Sequence, residues 1–199
     1  MAQRIQRAYS LLAEQYIGLF GSVEHVHPGD LELIGRHLAQ LSGPVLDLGC
    51  GPGHLTGFLR SLHVDVTGID LVPEFIAHAR STHPGVRFEV GSMVDMERPA
   101  GSVAGVLAWF SLIHLVPGQV DGVLATIRRI MAPRGAFVVG FFDGAELEPF
   151  EHKVATAYRW LVDEMARRLA VAGFVEVERV HRSQEGERRP YTAIALQAA

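Results

Sequence analysis

Three glycines at alternate positions follow an apolar run in the sequence VLDLGCGPG, which covers residues 45–53. Glycine weakens the interior of a strand or a helix, so this spacing predicts a point where a buried strand turns sharply into a helix. At such a turn the backbone can lie against a ligand, and the free N–H groups of the following helix favour an anionic group of that ligand. Pro52 suits the turn because it fixes φ and has no N–H to satisfy.

The spacing of the glycines separates two classes of ligand. Folds that bind dinucleotides carry the pattern G-x-G-x-x-G. The sixth position is His54 when counted from Gly49 and Thr56 when counted from Gly51, so neither register completes that pattern. The run instead resembles motif I of the class I S-adenosylmethionine-dependent methyltransferases, in which an acidic residue, here Asp47, precedes the first glycine. The resemblance implies S-adenosylmethionine as cofactor, S-adenosylhomocysteine as product, and in-line methyl transfer to a small-molecule acceptor.

Short apolar runs alternate with amphipathic stretches along the chain, which predicts an α/β fold with a parallel sheet. The predicted strands are residues 45–48, 64–69, 86–90, 105–110, 135–142, 174–181 and 191–196, and the predicted helices are 55–62, 73–82, 119–131 and 154–172. Residues 183–190 are too few for a crossover helix, so the last two strands should pair antiparallel. This is the family's Rossmann-like arrangement, a seven-stranded mostly parallel sheet with an antiparallel last strand and helices on both faces.

The chain of 199 residues is expected to form a single methyltransferase domain. Residues 42–199 would be the cofactor-binding core, and residues 1–41 an N-terminal helical lid with two helices around a loop at 21–30. Residues 143–150, after the fifth strand, read as irregular. In the family such extra segments cover the cofactor and shape the acceptor pocket, and plain packing against the core is the alternative.

Asp70 ends the predicted second strand, twenty-one positions after Gly49. A carboxylate there can accept hydrogen bonds from both hydroxyls of a ribose, and the alternative is a carboxylate that caps the next helix. By the resemblance, Asp47 would position the amino group of the methionine moiety. The resemblance assigns the remaining cofactor contacts to Gly49, Cys50, Gly51, Leu71, Ser92, Met93, Ala108, Phe110 and Tyr16. Ser92 stands where family members often have an aspartate.

His114 follows the predicted fourth strand, and parallel sheets bind ligands at the carboxyl ends of their strands. Its imidazole is the candidate general base and acceptor contact, with a loop-capping role as the alternative. Tyr9 and Tyr16 resemble the Y-x-x-x-A-x-x-Y motif, whose tyrosines reach over cofactor or substrate; half-buried aromatics of an amphipathic helix are the alternative. His152 is a further candidate for the acceptor site, although the run from His152 to Trp160 reads more simply as the surface of a helix.

Composition excludes several classes of protein. A hydrophobic content of 48% with 20% charged residues is ordinary for a globular protein, and a net charge of −4 argues against nucleic-acid or acidic-membrane partners. The longest apolar run, 103–116, is shorter than the roughly 20 residues that span a bilayer. The first ten residues have no apolar core of a signal peptide, and the single cysteine suits a reducing compartment, so we expect a cytoplasmic protein.

Other functions remain as alternatives at this stage. No metal site is expected, because His25, His27 and Asp30 lack a further ligand at a suitable spacing. A non-catalytic protein that binds S-adenosylmethionine has the same cofactor motifs, and a dinucleotide-dependent oxidoreductase is disfavoured by the glycine spacing. The sequence contains no basic stripe of a nucleic-acid methyltransferase. It leaves open the identity and charge of the acceptor and the oligomeric state.

Overall fold

The computed structural model describes residues 2–184 and 189–199, which contain nine strands. These are β1 (Val45–Leu48), β2 (Val66–Asp70), β3 (Arg87–Val90), β4 (Val103–Trp109), β5 (Met131–Phe142), β6 (Glu148–Glu151), β7 (Thr156–Arg159), β8 (Phe174–Arg182) and β9 (Tyr191–Ala198). Seven of them form one sheet in the order β3-β2-β1-β4-β5-β9-β8, while β6 and β7 form a separate antiparallel hairpin.

Helices cover both faces of the large sheet. They are α1 (Ala2–Leu11), α2 (Ala13–Phe20), α3 (Pro28–Leu38), α4 (His54–Ser61), α5 (Pro73–Thr82), α6 (Pro117–Ile130) and α7 (Val162–Val171), with 3-10 turns at Val23–His25 and Leu112–His114. On one face Leu124 of α6 and Leu169 of α7 are fully buried in one core cluster, and on the other Leu33 of α3 and Leu59 of α4 are buried in a second. Because both faces are covered, β1 is buried along its whole length.

The sheet reverses its direction of growth at β1. This strand pairs in parallel with β2 on one side and with β4 on the other, so the carboxyl ends of β1 and β4 open a crevice of the kind that binds ligands in α/β folds. The last strand, β9, runs antiparallel to both β5 and β8. The predicted mostly parallel seven-stranded sheet with an antiparallel last strand is therefore confirmed.

Several predicted strand ends differ from the structure by one to four residues, and two of these differences have a clear cause. The fourth strand stops at Trp109 because Phe110 takes a positive φ of 53° and leaves the extended conformation. The fifth strand begins at Met131, where the sequence predicted the end of a helix, since Met131 pairs with Val103 of β4. Strand pairing therefore decides where β5 begins, and the backbone conformation of Phe110 decides where β4 ends.

The predicted helix at 154–172 is wrong in its first half. Residues 156–159 form β7, which pairs with β6 in the segment that the sequence indicated as irregular, and α7 begins only at Val162. Ala157 and Trp160 are completely buried, and the backbone N–H of Trp160 donates to the Phe142 carbonyl at 3.0 Å. Burial and strand pairing thus stabilise an extended backbone against the local helical pattern. The interpretation of residues 152–160 as the surface of a helix is wrong for the same reason.

The N-terminal segment has more elements than the two predicted helices. The first helix is broken at Leu12, whose φ of −116° and ψ of 13° are not helical. A 3-10 turn and the start of α3 occupy the predicted loop at 21–30. The break allows the rings of both Tyr9 and Tyr16 to reach Phe75, with centroids 5.9 and 5.2 Å away. Contacts with α5 therefore determine the path of this segment.

Candidate functional site

Two adjoining cavities lie at the carboxyl ends of β1, β2 and β4, beneath the N-terminal helices. The first has a volume of about 290 Å³ and the second about 810 Å³. The residues that line both are Tyr9, Tyr16, Gly49, Gly51, Trp109 and Phe110. The glycine turn and the two N-terminal tyrosines are therefore common walls of a single bipartite site.

The glycine turn after β1 depends on left-handed backbone conformations. Gly49, Gly51 and Gly53 have φ values of 72°, 53° and 88°. A Cβ on Gly49 would lie 2.3 Å from the Ser111 Cβ, and one on Gly53 would lie 2.7 Å from the Ala79 Cβ. A Cβ on Gly51 would meet nothing within 4 Å. Two glycines thus permit close packing, while Gly51 presents bare backbone to open space at the site.

Asp70 holds the glycine turn and still faces the first cavity. Its Oδ2 accepts the N–H of Gly51 at 2.8 Å and its Oδ1 accepts the N–H of Val72 at 2.9 Å. Burial raises the pKa of the carboxyl, and these backbone hydrogen bonds oppose that shift. A carboxylate has about four acceptor positions, so both oxygens retain a lone pair. Asp70 does not cap α5, whose N-cap is Val72 without a side-chain hydrogen bond, but it supports the backbone of the turn and can accept further hydrogen bonds.

Asp47 lies at the floor of the second cavity rather than the first. It is 1% exposed, and its Oδ2 accepts a 2.6 Å hydrogen bond from the Thr56 hydroxyl. Burial raises the pKa of Asp47 to about 7, against the lowering effect of Thr56. The neighbouring Cys50 is also buried in this cavity wall, and burial raises the pKa of its thiol, which makes it an unreactive side chain.

The other predicted cofactor residues lie around the first cavity with one exception. Leu71, Ser92 and Met93 line it, and Ser92 Oγ accepts the N–H of Val94 at 3.1 Å. Ala108 is fully buried within β4 and lines neither cavity.

The turn after β4 brings the predicted Phe110 to the site, together with Ser111, which the sequence analysis did not single out. Phe110 lines both cavities, and its positive φ is uncommon for a residue other than glycine. Ser111 follows, and its buried Oγ has no hydrogen-bond partner among the described residues. Buried polar atoms are nearly always paired, so an unpaired hydroxyl beside Gly49 marks a position where a ligand can supply the partner. No spacing rule in the sequence identified Ser111.

His114 is fixed in one tautomer by its two neighbours. It is buried, with Nδ1 2.8 Å from the Thr156 carbonyl and Nε2 2.7 Å from the Tyr9 hydroxyl. A carbonyl can only accept, so Nδ1 carries the proton and Nε2 accepts from the Tyr9 O–H. Burial lowers the pKa of His114 and raises that of Tyr9. The pair is thus neutral, with a basic nitrogen directed at the first cavity.

Aromatic rings form one wall of the second cavity. The Phe110 ring lies 4.8 Å from that of Phe142 and 5.2 Å from that of Tyr191, between ring centroids. His152 continues the wall, with its ring 5.9 Å from Phe142 and 5.6 Å from His114. The buried Nδ1 of His152 has no partner among the described residues. The sequence analysis had proposed His152 for the acceptor site, but not Phe142 or Tyr191.

Tyr16 covers the site from the N-terminal side. Its ring contacts those of Tyr9 and Phe75 at 5.3 and 5.2 Å, and it lines both cavities. Burial, with a further contribution from the charge of Asp70, raises the pKa of Tyr16 to about 12. This proximity shows that α2 approaches the Asp70 side of the site.

No group of three or more His, Cys, Asp or Glu side chains in ranges 2–184 and 189–199 is arranged to hold a metal ion. Within the same ranges, no helix has the length and apolar character needed to cross a bilayer.

Sequence comparison gives an independent result for the central part of the chain. Residues 45–135 match a family model described as a methyltransferase domain. The ubiquinone biosynthesis O-methyltransferase of Nitrosococcus oceani is 31% identical over 123 residues, which are 59% of this chain and 51% of that protein. The chain spans between 48% and 60% of the length of three curated relatives that it matches.

Solved structures share the fold over nearly the whole chain. The 1,6-didemethyltoxoflavin-N1-methyltransferase of Burkholderia thailandensis, crystallised with 1,6-didemethyltoxoflavin and S-adenosylhomocysteine, superposes with a TM-score of 0.83 at 21% identity. The match covers 99% of this chain and 88% of that one. The cyclase SpnF superposes with a TM-score of 0.79 at 17% identity, over 100% of this chain and 97% of its own. At these identities the likeness concerns the fold alone.

Proposed function

We propose that the chain is a class I S-adenosylmethionine-dependent methyltransferase, which transfers the methyl group of S-adenosylmethionine to a small-molecule acceptor. The first cavity would hold the nucleoside part of the cofactor, and the second the methionine part and the acceptor. One observation carries this proposal: the Gly49–Gly53 turn after β1, Asp70 at the end of β2 and Ser111 after β4 meet at one site.

The residues present fit the cofactor at three points. Asp70 keeps lone pairs that can accept hydrogen bonds from ribose hydroxyls, while Leu71 and Met93 offer apolar surface for a base. Gly51 leaves its backbone bare to open space at the site. Ser111 Oγ is a buried hydroxyl that lacks a partner among the described residues. Each of these features is explained by a polar ligand lying along the glycine turn.

The cofactor, when bound, supplies a methyl group already activated by its positively charged sulfur. The task of this chain is then to position the nucleophile and to exclude water. The rings of Tyr9 and Tyr16 line both cavities on the N-terminal side, and Phe110 also lines both cavities. The partly protonated Asp47 at the floor of the second cavity can accept a hydrogen bond from an ammonium group without burying a full unpaired charge.

His114 is proposed as the general base for acceptors that must lose a proton; it lines the first cavity, and Tyr9, which lines both cavities, connects it to the acceptor in the second. Its Nδ1–H is held by the Thr156 carbonyl, so Nε2 is the only nitrogen that can receive a proton. Tyr9 occupies that nitrogen, so the proton either passes through the Tyr9 hydroxyl or reaches Nε2 after Tyr9 has moved. The lowered pKa of His114 keeps it unprotonated at neutral pH.

Calorimetry with S-adenosylhomocysteine tests the cofactor assignment directly. We expect binding of this ligand to the full chain, and none of nicotinamide adenine dinucleotide, because the glycine spacing lacks the dinucleotide pattern. Absence of heat with S-adenosylhomocysteine, for a protein whose circular dichroism shows it folded, would refute the proposal.

A non-catalytic protein that binds S-adenosylmethionine is the alternative, because the cofactor contacts and the acceptor contacts come from different residues. Formation of S-adenosylhomocysteine from S-adenosylmethionine, measured with a panel of small-molecule acceptors, distinguishes the two. Turnover that falls in His114→Gln while S-adenosylhomocysteine still binds would support the base. Full turnover in that variant would remove His114 from the chemistry.

A further inference from the structure

The second cavity has two cations at its rim. Lys153 and Arg189 are both exposed and both line this cavity. Lys153 is the only lysine of the sequence, whose other basic side chains, histidines aside, are arginines. The rim of the cavity thus carries a compact ammonium group and a guanidinium group.

Neither cation has a carboxylate partner among the described residues. Lys153 Nζ lies 5.7 Å from the centre of the Phe20 ring, and the Arg189 guanidinium lies 4.9 Å from that of Phe150. Arg159 approaches the same Phe150 ring at 4.9 Å but pairs with Glu148 at 3.0 Å. Contacts with aromatic faces hold Lys153 and Arg189 without neutralising them, so their charge remains available to a ligand.

The carboxylates of the second cavity do not cancel this charge. Asp30 is bonded by the guanidinium of Arg182 through two nitrogens at 3.0 Å each, and Asp47 is bonded to Thr56 and partly protonated near neutral pH. Glu151 is the remaining carboxylate in the wall. Among the described residues, Lys153 and Arg189 at the rim therefore face one unpaired full carboxylate, Glu151, and an Asp47 whose charge is reduced by partial protonation.

His152 lies in the same cavity wall as the two cations. Burial lowers its pKa to about 4, with smaller contributions from His114, Arg189 and Lys153. His152 is therefore neutral at pH 7; its buried Nδ1 has no hydrogen-bond partner among the described residues, and its ring lies 5.9 Å from that of Phe142. The cavity combines a positive rim, a neutral polar atom and flat apolar surface.

We propose that the methyl acceptor is an aromatic acid, a planar ring that carries a carboxylate. The ring would pack on Phe110, Phe142 and Tyr191, and the carboxylate would bind Lys153 and Arg189 at the rim. This inference rests on the proposed function for its assignment of the second cavity as the acceptor site. It deepens that function by giving the acceptor both a shape and a charge.

Salicylate, salicylamide and cyclohexanecarboxylate separate the two parts of the proposal. Binding of each is measured by calorimetry on the full chain, with and without S-adenosylhomocysteine. Salicylate has the ring and the charge, salicylamide has the ring alone, and cyclohexanecarboxylate has the charge alone. We expect salicylate to bind about tenfold or more tightly than either of the others, the scale of one charge-assisted contact.

Charge-removing variants locate the carboxylate site. Lys153→Met and Arg189→Met should each weaken salicylate binding about tenfold and leave salicylamide unchanged. Lys153→Arg should restore most of the affinity. Arg60→Met removes the same charge from an exposed position that lines neither cavity, so it should have no effect. Equal binding of salicylate and salicylamide, or an effect of Arg60→Met equal to that of Lys153→Met, would overturn the proposal.

The single lysine also permits a test on the unmutated protein. Reductive methylation with ¹³C-formaldehyde labels the Lys153 amine and the α-amino group and retains their charge. Salicylate should shift the Lys153 resonance in the nuclear magnetic resonance spectrum, and salicylamide should not. A Lys153 resonance unmoved by saturating salicylate overturns the proposal.

If S-adenosylhomocysteine binds but salicylate does not, the acceptor class is wrong and the proposed function stands. If salicylate binds as expected but S-adenosylhomocysteine does not, the proposed function fails and the site's ligand class stands.

Discussion

The Tyr9 hydroxyl donates a 2.7 Å hydrogen bond to Nε2 of His114, across 105 positions of sequence. The other nitrogen of His114 donates to the Thr156 carbonyl, so α1, the turn after β4 and the β6–β7 hairpin meet at one imidazole. Tyr9 thereby closes the N-terminal helix over the site and occupies the nitrogen proposed as the base. Opening of this segment and exposure of the base are therefore expected to be coupled.

Tyr9→Phe tests that coupling. Loss of the hydroxyl leaves the buried Nε2 of His114 without its partner, so we expect the free energy of unfolding to fall by about 1–2 kcal/mol. Proteolysis between residues 21 and 29 should become faster, and S-adenosylhomocysteine should slow it in the wild type. Tyr16→Phe is the matched control, because the Tyr16 hydroxyl makes no hydrogen bond with the described residues. If both variants behave alike, the hydrogen bond does not hold the segment.

Gly49→Ala and Gly51→Ala should separate stability from ligand binding. The added Cβ at Gly49 meets Ser111 at 2.3 Å, so urea unfolding should show a loss of about 2–4 kcal/mol, and binding should be lost as well. At Gly51 the added methyl group meets nothing within 4 Å, and only the φ of 53° costs about 1 kcal/mol. That methyl group takes space at the site, so S-adenosylhomocysteine affinity should fall while the fold remains. Unchanged affinity in Gly51→Ala would show that no ligand lies along the turn.

Asp70→Asn should weaken both binding and folding. The amide can accept at only one of the two positions that now bind Gly51 and Val72, so we expect the free energy of unfolding to fall by about 1–2 kcal/mol. Loss of the charged acceptor should reduce S-adenosylhomocysteine affinity by about 2 kcal/mol in calorimetry. Asp65→Asn removes an exposed carboxylate that pairs with Arg87 and should change binding by a negligible amount. A variant at Asp70 with wild-type affinity would leave it a purely structural residue.

His54 should make stability fall at acidic pH. Burial lowers the pKa of His54 from 6.5 to about 4, so the unfolded chain binds a proton more readily than the folded one between these values. Stability is then lost as pH falls from 6.5 towards 4. The raised pKa of Asp47 has the opposite effect on stability as pH falls, and it is present in both proteins compared. The prediction therefore concerns the difference in free energy of unfolding between wild type and His54→Gln. His54→Gln should become more stable relative to wild type over this interval, by up to about 1.4 kcal/mol per pH unit in urea titrations. A pH-independent difference would contradict it.

Local sequence determined the parts of the site that depend on short-range geometry. The glycine turn needs residues without a Cβ at left-handed φ, and Asp70 stands at the end of β2, so spacing along the chain identified both. The mostly parallel sheet followed from the alternation of apolar runs with amphipathic stretches, because covered parallel strands must be apolar on both faces.

Only the tertiary structure decided the acceptor side of the site. Residues 156–159 have a helical pattern, but pairing with β6 and complete burial of Trp160 make them a strand. The tautomer of His114 depends on a carbonyl 42 residues away, and the aromatic wall joins residues from β5, β9 and the turn after β4. The sequence determined the cofactor motif because neighbouring residues build it. It did not determine the acceptor cavity, because that cavity is formed by contacts between segments that are distant in sequence. The free energy of such contacts does not depend on the local sequence pattern.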